Sequence, residues 1–195
     1  MSIPCESKPA KLVIGCFTKD MDIVGDVARK LSEALGPLDI VSPWLAFDHT
    51  DYYAPEMGSP LFRRLMAFRV LIQQDALVDI KLFTNDLEGR FSSQGKRLVN
   101  IDPGYLLAER FVLATGKNYA HRIYLRAGIY ADLTLIYHKG CFHPLDWTYP
   151  DYAGEVIIRF LKSVRERYLY QVRQSGGYVP RSCFKTLFFG LFSHF

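Results

Sequence analysis

The chain has 195 residues, of which 49% are apolar and 23% charged, and its 24 basic and 20 acidic residues give a net charge of +4. These values are typical of one globular domain that buries enough apolar surface to fold alone, and they exclude an intrinsically disordered protein. No stretch contains the roughly five or six like charges in succession that mark a nucleic-acid-binding tail.

The cysteines and the N-terminal residues bear on the cellular compartment. Cys5, Cys16, Cys141 and Cys183 are spread along the chain without a Cys-x-x-Cys pair, so neither a zinc ribbon nor a redox dithiol is predicted. Residues 1–10 lack the apolar core of a secretory signal. Without a disulfide pattern, we expect a reducing, cytoplasmic location.

Composition divides the chain into three segments. We expect a flexible N-terminus over residues 1–10, a single α+β domain over 11–175 and an apolar C-terminal tail over 176–195. The last twelve residues (FKTLFFGLFSHF) are strongly apolar, but a membrane-spanning helix needs about 20, so no transmembrane segment is predicted. Because an uncovered apolar segment promotes association, one prediction is a homodimer formed through this tail.

The first half of the chain alternates between strand patterns and helix patterns. The segment KLVIGCFTK is apolar and β-branched, as in a buried strand, and the apolar residues that follow recur at helical spacing. Pro43 interrupts the next strand. The predicted order is strand, helix, two strands, helix and strand, over residues 11–19, 21–35, 38–47, 61–71, 76–90 and 97–101, with Asp20 as the N-cap of the first helix. Residues 61–71 also show helical spacing, and a strand is favoured at the start of this stretch because it gives a consistent topology.

This βαββαβ order is that of a ferredoxin-like fold, in which a four-stranded antiparallel sheet carries two helices on one face. A β-hairpin follows, with strands at 121–125 and 129–138 around a turn at 126–128. Asp132 lies on the polar side of the second of these strands. With an amphipathic helix from about 153 to 173, the sequence predicts an α+β fold, namely a ferredoxin-like core with an added β-hairpin and a long C-terminal helix.

The stretch Phe47 to Tyr53 (FDHTDYY) contains the densest group of side chains suited to catalysis. Asp48, His49 and Asp51 predict a catalytic group in which one carboxylate orients the imidazole while the imidazole exchanges protons. The alternative is a turn in which these side chains hydrogen-bond their own backbone. Neither His-x-His nor His-Glu-x-x-His accompanies them, so a metal site is not predicted.

Other polar groups lie further along the chain. Lys81 and Asn85 are four residues apart on the predicted second helix and project together. Asn100 to Tyr105 (NIDPGY) either approaches an anionic ligand through its glycine or forms a Pro-Gly turn, which its composition favours. The usual glycine-rich phosphate loops are missing. The hairpin supplies a further group: His121, Arg122 and Asp132.

Six short stretches contain most of these side chains: FDHTDYY (47–53), DIKLFTN (79–85), NIDPGYL (100–106), HRIYL (121–125), GIYADLTL (128–135) and WTYPDY (147–152). Together, and in this order, they resemble an uncharacterised prokaryotic family, domain of unknown function family 4416, from about Lys11 to Arg173. The family has no established activity to carry over. The resemblance implies that the six stretches form one surface. In the family pattern a Glu stands where this chain has Asp132, whose side chain has a shorter reach.

We therefore expect a polar pocket for an anionic or phosphate-bearing small molecule, because Lys81 and Arg122 suit such a ligand. In an enzyme, His49 would transfer the proton and Asp48 or Asp51 would orient it, with hydrolysis or group transfer as the reaction class. The sequence does not identify a cofactor. The predicted ligand-binding residues are Tyr52, Lys81, Asn85, Asn100, Asp102, Tyr105, His121, Arg122 and Asp132.

The alternative is a non-enzymatic module whose aromatic loops stack on single-stranded RNA or bind a partner protein. Its contact residues would be Tyr52, Tyr53, Tyr105, Trp147 and Tyr149. The polar residues converge in one concave pocket under the first hypothesis and scatter over a convex face under the second.

Overall fold

The computed structural model describes residues 1–174, so the predicted apolar tail and a dimer formed through it lie outside the described residues. Within residues 1–174, no helix is both long enough and apolar enough to span a membrane. The elements of this part are β1 (Ala10–Thr18), α1 (Ile23–Leu35), β2 (Leu38–Val41), β3 (Leu45–Phe47), α2 (Ala54–Met57), β4 (Leu61–Ile72), α3 (Leu77–Arg90), β5 (Ser92–Ser93), β6 (Lys96–Arg97), β7 (Val99–Leu106), β8 (Arg110–Thr115), β9 (Arg122–Arg126), β10 (Ile129–His138), β11 (Cys141–Pro144) and α4 (Glu155–Gln174).

Nine of the described strands form one antiparallel sheet, and seven of them follow the order β11-β10-β8-β7-β1-β4-β2. Two further strands join at the ends of this order, since β3 follows β2 along β4 and β9 precedes β11 along β10. Strands β5 and β6 form a separate small hairpin. The predicted α+β class is confirmed: a large antiparallel sheet is combined with four helices in residues 1–174, including the long C-terminal one.

Strand β1 lies in the middle of the sheet, and all nine of its residues are buried. Leu12, Ile14 and Cys16 share one face, where burial raises the pKa of the Cys16 thiol. Lys11 lies on the other face, and its ammonium donates to Asp39 of β2 (2.5 Å) and to Gln171 of α4 (2.6 Å). This buried cation therefore ties α4 to one face of the sheet. Burial lowers the pKa of Lys11, although Asp39 opposes that shift.

The favoured Pro-Gly turn at Asp102 to Gly104 is wrong, because these residues lie inside β7. Peptide groups alternate between the two edges of a strand. The N–H and C=O groups of Ile101 point away from β1, towards side chains of α3, so the nitrogen of Pro103 points the same way. Proline is tolerated at such an edge because no strand there requires its missing N–H. The turn signal was overridden by tertiary contacts.

The predicted hairpin is confirmed, with Ala127 and Gly128 at its turn. Both have positive φ values, 51° and 75°, as expected for a two-residue turn that matches the twist of its strands. Asp132 of β10 is 4% exposed, so this polar side chain is buried against other parts of the protein and does not face open solvent.

Candidate functional site

A cavity of about 650 Å³ lies on one face of the sheet, and the strand register determines which side chains form its floor. Directly opposed residues of antiparallel strands point to the same face. Phe17 of β1 lies between Arg63 of β4 and Asn100 of β7. Two residues further along β7, Asp102 lies beside Gly15 of β1. The central strands therefore present a guanidinium, an amide and a carboxylate on the same face.

The same face continues across the second half of the sheet. Gly104 of β7 is opposite Leu113 of β8, and Leu113 is opposite Asp132 of β10. Asp132 in turn is opposite Arg122 of β9. Both halves of the sheet thus contribute polar side chains to one cavity.

Two side chains of α3 close the edge of β7, where β8 does not reach. The carboxylate of Glu88 accepts a hydrogen bond from the Ile101 N–H at 2.7 Å, and the ammonium of Lys81 donates to the Ile101 carbonyl at 3.0 Å. Lys81 Nζ is also 3.5 Å from the Asp102 carboxylate. Helix α3 thereby satisfies the backbone of β7, and Lys81, Asn85 and Glu88 form one wall of the cavity.

Arg97 joins this wall to α2. Its guanidinium donates to both carboxylate oxygens of Glu56, at 2.7 and 2.8 Å, and to Glu88 at 2.8 Å and Asn100 at 3.1 Å. Hydrogen bonding from Arg97 holds the pKa of Glu56 below its usual value. Burial raises the pKa of Glu88, although Lys81 and Arg97 oppose that shift. The two carboxylates that share Arg97 therefore differ in the direction of their pKa shifts.

Glu88→Gln is expected to remove a pH dependence of stability. A carboxyl group whose pKa is raised on folding binds more protons in the folded state, so its contribution to stability falls as pH rises above the reference pKa of 4.5. The unfolding free energy of wild type minus that of Glu88→Gln should therefore fall as pH rises from 4.5. Urea denaturation of both proteins across this range measures the difference.

Glu56→Gln is the matched control, because Glu56 binds the same arginine with a lowered pKa. The Glu56 carboxylate stabilises the folded state above pH 4.5, and this stabilisation is lost as pH falls through the lowered pKa. The unfolding free energy of wild type minus that of Glu56→Gln should therefore rise with pH. The raised pKa of Glu88 would be contradicted if the unfolding free energy of wild type minus that of Glu88→Gln stayed constant or rose with pH.

Arg63 is the deepest cation of the floor, with 4% of its surface exposed. It forms a buried ion pair with Asp151, in the loop before α4. Its guanidinium carbon is also 4.6 Å from the ring centroid of Phe47, 4.8 Å from that of Tyr152 and 5.3 Å from that of Phe17. Arg63 therefore joins the sheet, the segment before α2 and the loop before α4.

Arg122 and Asp132 form the opposite side of the cavity. The guanidinium of Arg122 donates to Asp132 at 2.9 Å and to the Tyr149 hydroxyl at 2.9 Å. His121 Nε2 is 3.4 Å from the same carboxylate oxygen, and the imidazole stacks on Trp147 with 5.0 Å between ring centroids. The loop that contains Trp147 and Tyr149 is thus held against the β9–β10 hairpin.

Lys117 and Tyr52 lie at the rim. Lys117 Nζ is 3.5 Å from the Tyr52 hydroxyl and 4.7 Å from the ring centroid. In residues 1–174, no carboxylate lies within 4 Å of this ammonium. Tyr52 is 67% exposed. The rim therefore presents one cation that is not neutralised by a neighbouring acid.

The cavity brings together most of the predicted residues and leaves four outside. Those that line it are His49, Tyr52, Lys81, Asn85, Asn100, Asp102, Arg122 and Asp132. Those that do not are Asp48, Asp51, Tyr105 and His121. Tyr105 alternates to the opposite face of β7 and belongs to the hydrophobic core.

Asp48 and Asp51 are exposed, and in the described chain neither forms a hydrogen bond or ion pair with His49. Instead, the Thr50 hydroxyl accepts the Tyr52 N–H at 3.1 Å, as in a local turn. The imidazole of His49 lines the cavity without the carboxylate partner that the sequence suggested.

Sequence reasoning missed several residues of the lining: Arg63, Glu88, Arg97, Lys117, Asp151 and Tyr152. Two signals were available. Glu88 follows Lys81 and Asn85 at a spacing that continues one helix face. Arg63 begins a pair of arginines inside a stretch that is otherwise apolar, which is unusual for a buried strand.

The charges that line the cavity are nearly balanced. The cations are Arg63, Lys81, Arg97, Lys117 and Arg122, and the carboxylates are Glu88, Asp102, Asp132 and Asp151. Within the part of the chain that the structure describes, no three His, Cys, Asp or Glu side chains cluster closely enough to hold a metal ion. The arrangement suits recognition of a polar ligand by ion pairs and hydrogen bonds.

A family model described as a domain of unknown function (DUF4416) matches residues 8–168, which cover the sheet and most of α4. No curated protein and no solved structure matches the chain.

Proposed function

Since the chain belongs to a family whose description names no activity (domain of unknown function, DUF4416), we propose from its cavity that the protein binds a small molecule with an anionic or phosphate group. The observation that carries this proposal is the convergence of eight predicted polar residues on one concave site, whose lining has five cationic side chains, Lys81 and Arg122 of the eight among them. A volume of about 650 Å³ lies in the range typical of small-molecule pockets, roughly 300–1,000 Å³.

The charge distribution supports an anionic ligand. The other four cations of the lining each have a carboxylate partner, so their positions are fixed but their charges are largely compensated. Lys117 adds an uncompensated charge at the rim. A ligand anion entering there gains an ion pair without breaking an existing one.

We propose hydrolysis or group transfer as the reaction class if the ligand is turned over. His49 supplies an imidazole at the cavity wall, and an imidazole can exchange protons near neutral pH. Asp102 supplies a carboxylate whose side chain is 28% exposed, compared with 6% for Asp132 and 9% for Asp151. Asp102 is thus the most accessible of these three carboxylates for a bound substrate.

A ligand-stabilisation screen tests the proposal, because a compound that binds the native state raises its melting temperature. The screen covers nucleotides, phosphosugars and divalent metals. We expect at least one phosphate-bearing compound to raise Tm. Lys117→Ala should weaken binding of that compound about two- to fivefold, since exposed ion pairs contribute about 0.2–1 kcal/mol.

Lys162→Ala is the control for this variant, because Lys162 is an exposed lysine of α4 that does not line the cavity. It should leave the affinity unchanged. If no anionic compound raises Tm, the proposed function is wrong.

The alternative, a module that stacks its aromatic loops on RNA or on a partner protein, has weaker support. Tyr52, Trp147 and Tyr149 are exposed by 67%, 40% and 49%, as stacking would require. Tyr105 is buried in the core, and Tyr53 packs against Phe17 at 4.7 Å between ring centroids. Tyr105 is therefore not available for a partner, and the half-buried Tyr53 is only partly available.

We also propose that β1 to β7 form a ferredoxin-like core. The neighbour order β7-β1-β4-β2, with every pair antiparallel, supports this because it matches the order expected for a βαββαβ unit. A reducing, cytoplasmic location stays a prediction, which is consistent with free thiols at Cys5, Cys16 and Cys141.

A further inference from the structure

Three buried side-chain polar atoms have no hydrogen-bond partner within residues 1–174: Arg63 Nε, His121 Nε2 and the Tyr152 hydroxyl oxygen. Buried polar atoms are nearly always hydrogen-bonded, so each exception requires an explanation. Arg63 and Tyr152 line the cavity, and His121 lies 3.4 Å from Asp132, which also lines it. The exceptions are therefore concentrated at one site.

The packing around Arg63 explains why its Nε–H has no hydrogen-bond acceptor. One terminal nitrogen of the guanidinium is committed to Asp151, and three aromatic rings pack around the group. The guanidinium carbon is 4.8 Å from the centroid of the Tyr152 ring, so the guanidinium lies over this ring. By distance and angle, Arg63 Nε and the Tyr152 hydroxyl are both left without a hydrogen-bond partner among the described residues.

Gly15 explains how the Tyr152 hydroxyl reaches the floor. A Cβ atom at position 15 would lie 2.9 Å from this oxygen, closer than real Cβ contacts allow. Gly15 is opposite Asp102, on the cavity face of β1. The absence of a side chain at position 15 therefore lets the hydroxyl of a 2% exposed tyrosine lie directly against the sheet.

We propose that Arg63 and Tyr152 form an inner subsite for an oxyanion, such as a phosphate or carboxylate group of the ligand. This inference rests on the proposed function, because it assigns the anionic end of that ligand to the floor of the cavity. The Nε–H of Arg63 donates to the oxyanion, and so does the O–H of Tyr152. Asp151 holds the guanidinium in place and Gly15 gives the hydroxyl its position, so both are positioning residues.

Burial of the donors makes this subsite selective for an oxyanion. Hydrogen bonds to a charged group contribute about 1.5–3 kcal/mol each, more than bonds between neutral groups. The cost of desolvating both donors has already been met in the folded protein. A ligand oxygen that reaches them therefore gains hydrogen bonds at atoms that have no protein partner to lose.

Tyr152→Phe tests the inference, because it removes only the hydroxyl oxygen. The probe is inorganic phosphate, added at constant ionic strength with chloride as the compensating salt, and its affinity follows from the dependence of Tm on phosphate concentration. We expect the variant to bind phosphate about 10- to 100-fold more weakly than wild type. Without phosphate, its Tm should equal or exceed that of wild type, because an unpaired buried hydroxyl is removed.

Tyr168→Phe is the matched control. Tyr168 is also 2% exposed, but its hydroxyl donates to the Pro9 carbonyl at 2.9 Å and lies outside the cavity. This variant should have a lower Tm without phosphate and an unchanged phosphate affinity. The two tyrosine variants are thus expected to differ in both effects, because only Tyr152→Phe weakens phosphate binding and only Tyr168→Phe lowers Tm without phosphate.

Several outcomes would overturn the inference. Equal phosphate affinity of wild type and Tyr152→Phe would exclude the hydroxyl as a donor, while a hit in the wider screen would leave the proposed function standing. A lower Tm of Tyr152→Phe with unchanged affinity would assign the hydroxyl to structure alone. Failure of wild type to bind inorganic phosphate would also overturn it, and the wider screen would then decide separately on the proposed function.

Discussion

Replacing Arg63 with alanine is expected to lower the free energy of unfolding by about 3–5 kcal/mol, the cost typical of breaking a buried ion pair. The substitution leaves the Asp151 carboxylate, with 9% of its side chain exposed, without its cation. It also removes the guanidinium that packs on Phe47 and Tyr152. Urea denaturation at neutral pH measures the change.

Two further variants sharpen this prediction. Arg29→Ala removes an exposed arginine that pairs with Asp26 and Glu33 on the surface of α1, and it should leave stability nearly unchanged. Arg63→Met combined with Asp151→Leu should recover part of the loss, because no buried charge is then left unpaired. A double variant that is as unstable as Arg63→Ala would indicate that aromatic packing, and not the ion pair, dominates.

Gly104→Ala is expected to destabilise the protein by about 3 kcal/mol, near the upper end of typical overpacking costs. A Cβ atom at position 104 would lie 2.5 Å from the backbone oxygen of Val112 and 2.9 Å from Leu113 Cδ2. Because one of these atoms belongs to the backbone of β8, the clash can be relieved only by separating β7 from β8. Thermal or urea denaturation measures the loss.

Gly25→Ala is the control for this prediction. Gly25 lies in α1, and beyond its chain neighbours and the helix's own backbone its additional methyl group would have no heavy atom within 4 Å. Alanine is favoured over glycine in a helix by roughly 0.5–1 kcal/mol, so this variant should be more stable than wild type. If both variants had the same effect, the close approach of β7 and β8 at Gly104 would not be the cause.

The local patterns of the sequence predicted most of the elements. The apolar run from residue 11 indicated a buried strand, and β1 is buried along its entire length. The alternation after Gly128 placed Asp132 on the polar side of its strand, and this side lines the cavity. These predictions succeeded because hydrophobic periodicity shows which face of an element is buried. This pattern can be recognised in the sequence without knowing which other elements pack against that face.

Elements whose pairing depends on distant residues were not predicted. Strand β8 was missed, and the Asp-Pro-Gly segment was assigned to a turn. Its strand conformation depends on Glu88 and Lys81, which bind the backbone of Ile101 from a helix 13 and 20 residues earlier. Local turn preference is weaker than the requirement that buried backbone groups find partners.

The candidate site likewise has one part that local sequence patterns predicted and one part that depends on distant residues. The sequence by itself identified twelve polar residues as candidates for a site, and eight of them line one cavity. It did not identify the floor, where Arg63 pairs with Asp151, 88 residues away, beneath Tyr152 and Gly15. Only the tertiary structure decided that arrangement, because strand register and loop packing, and not proximity in the chain, determine which polar groups meet in a buried site.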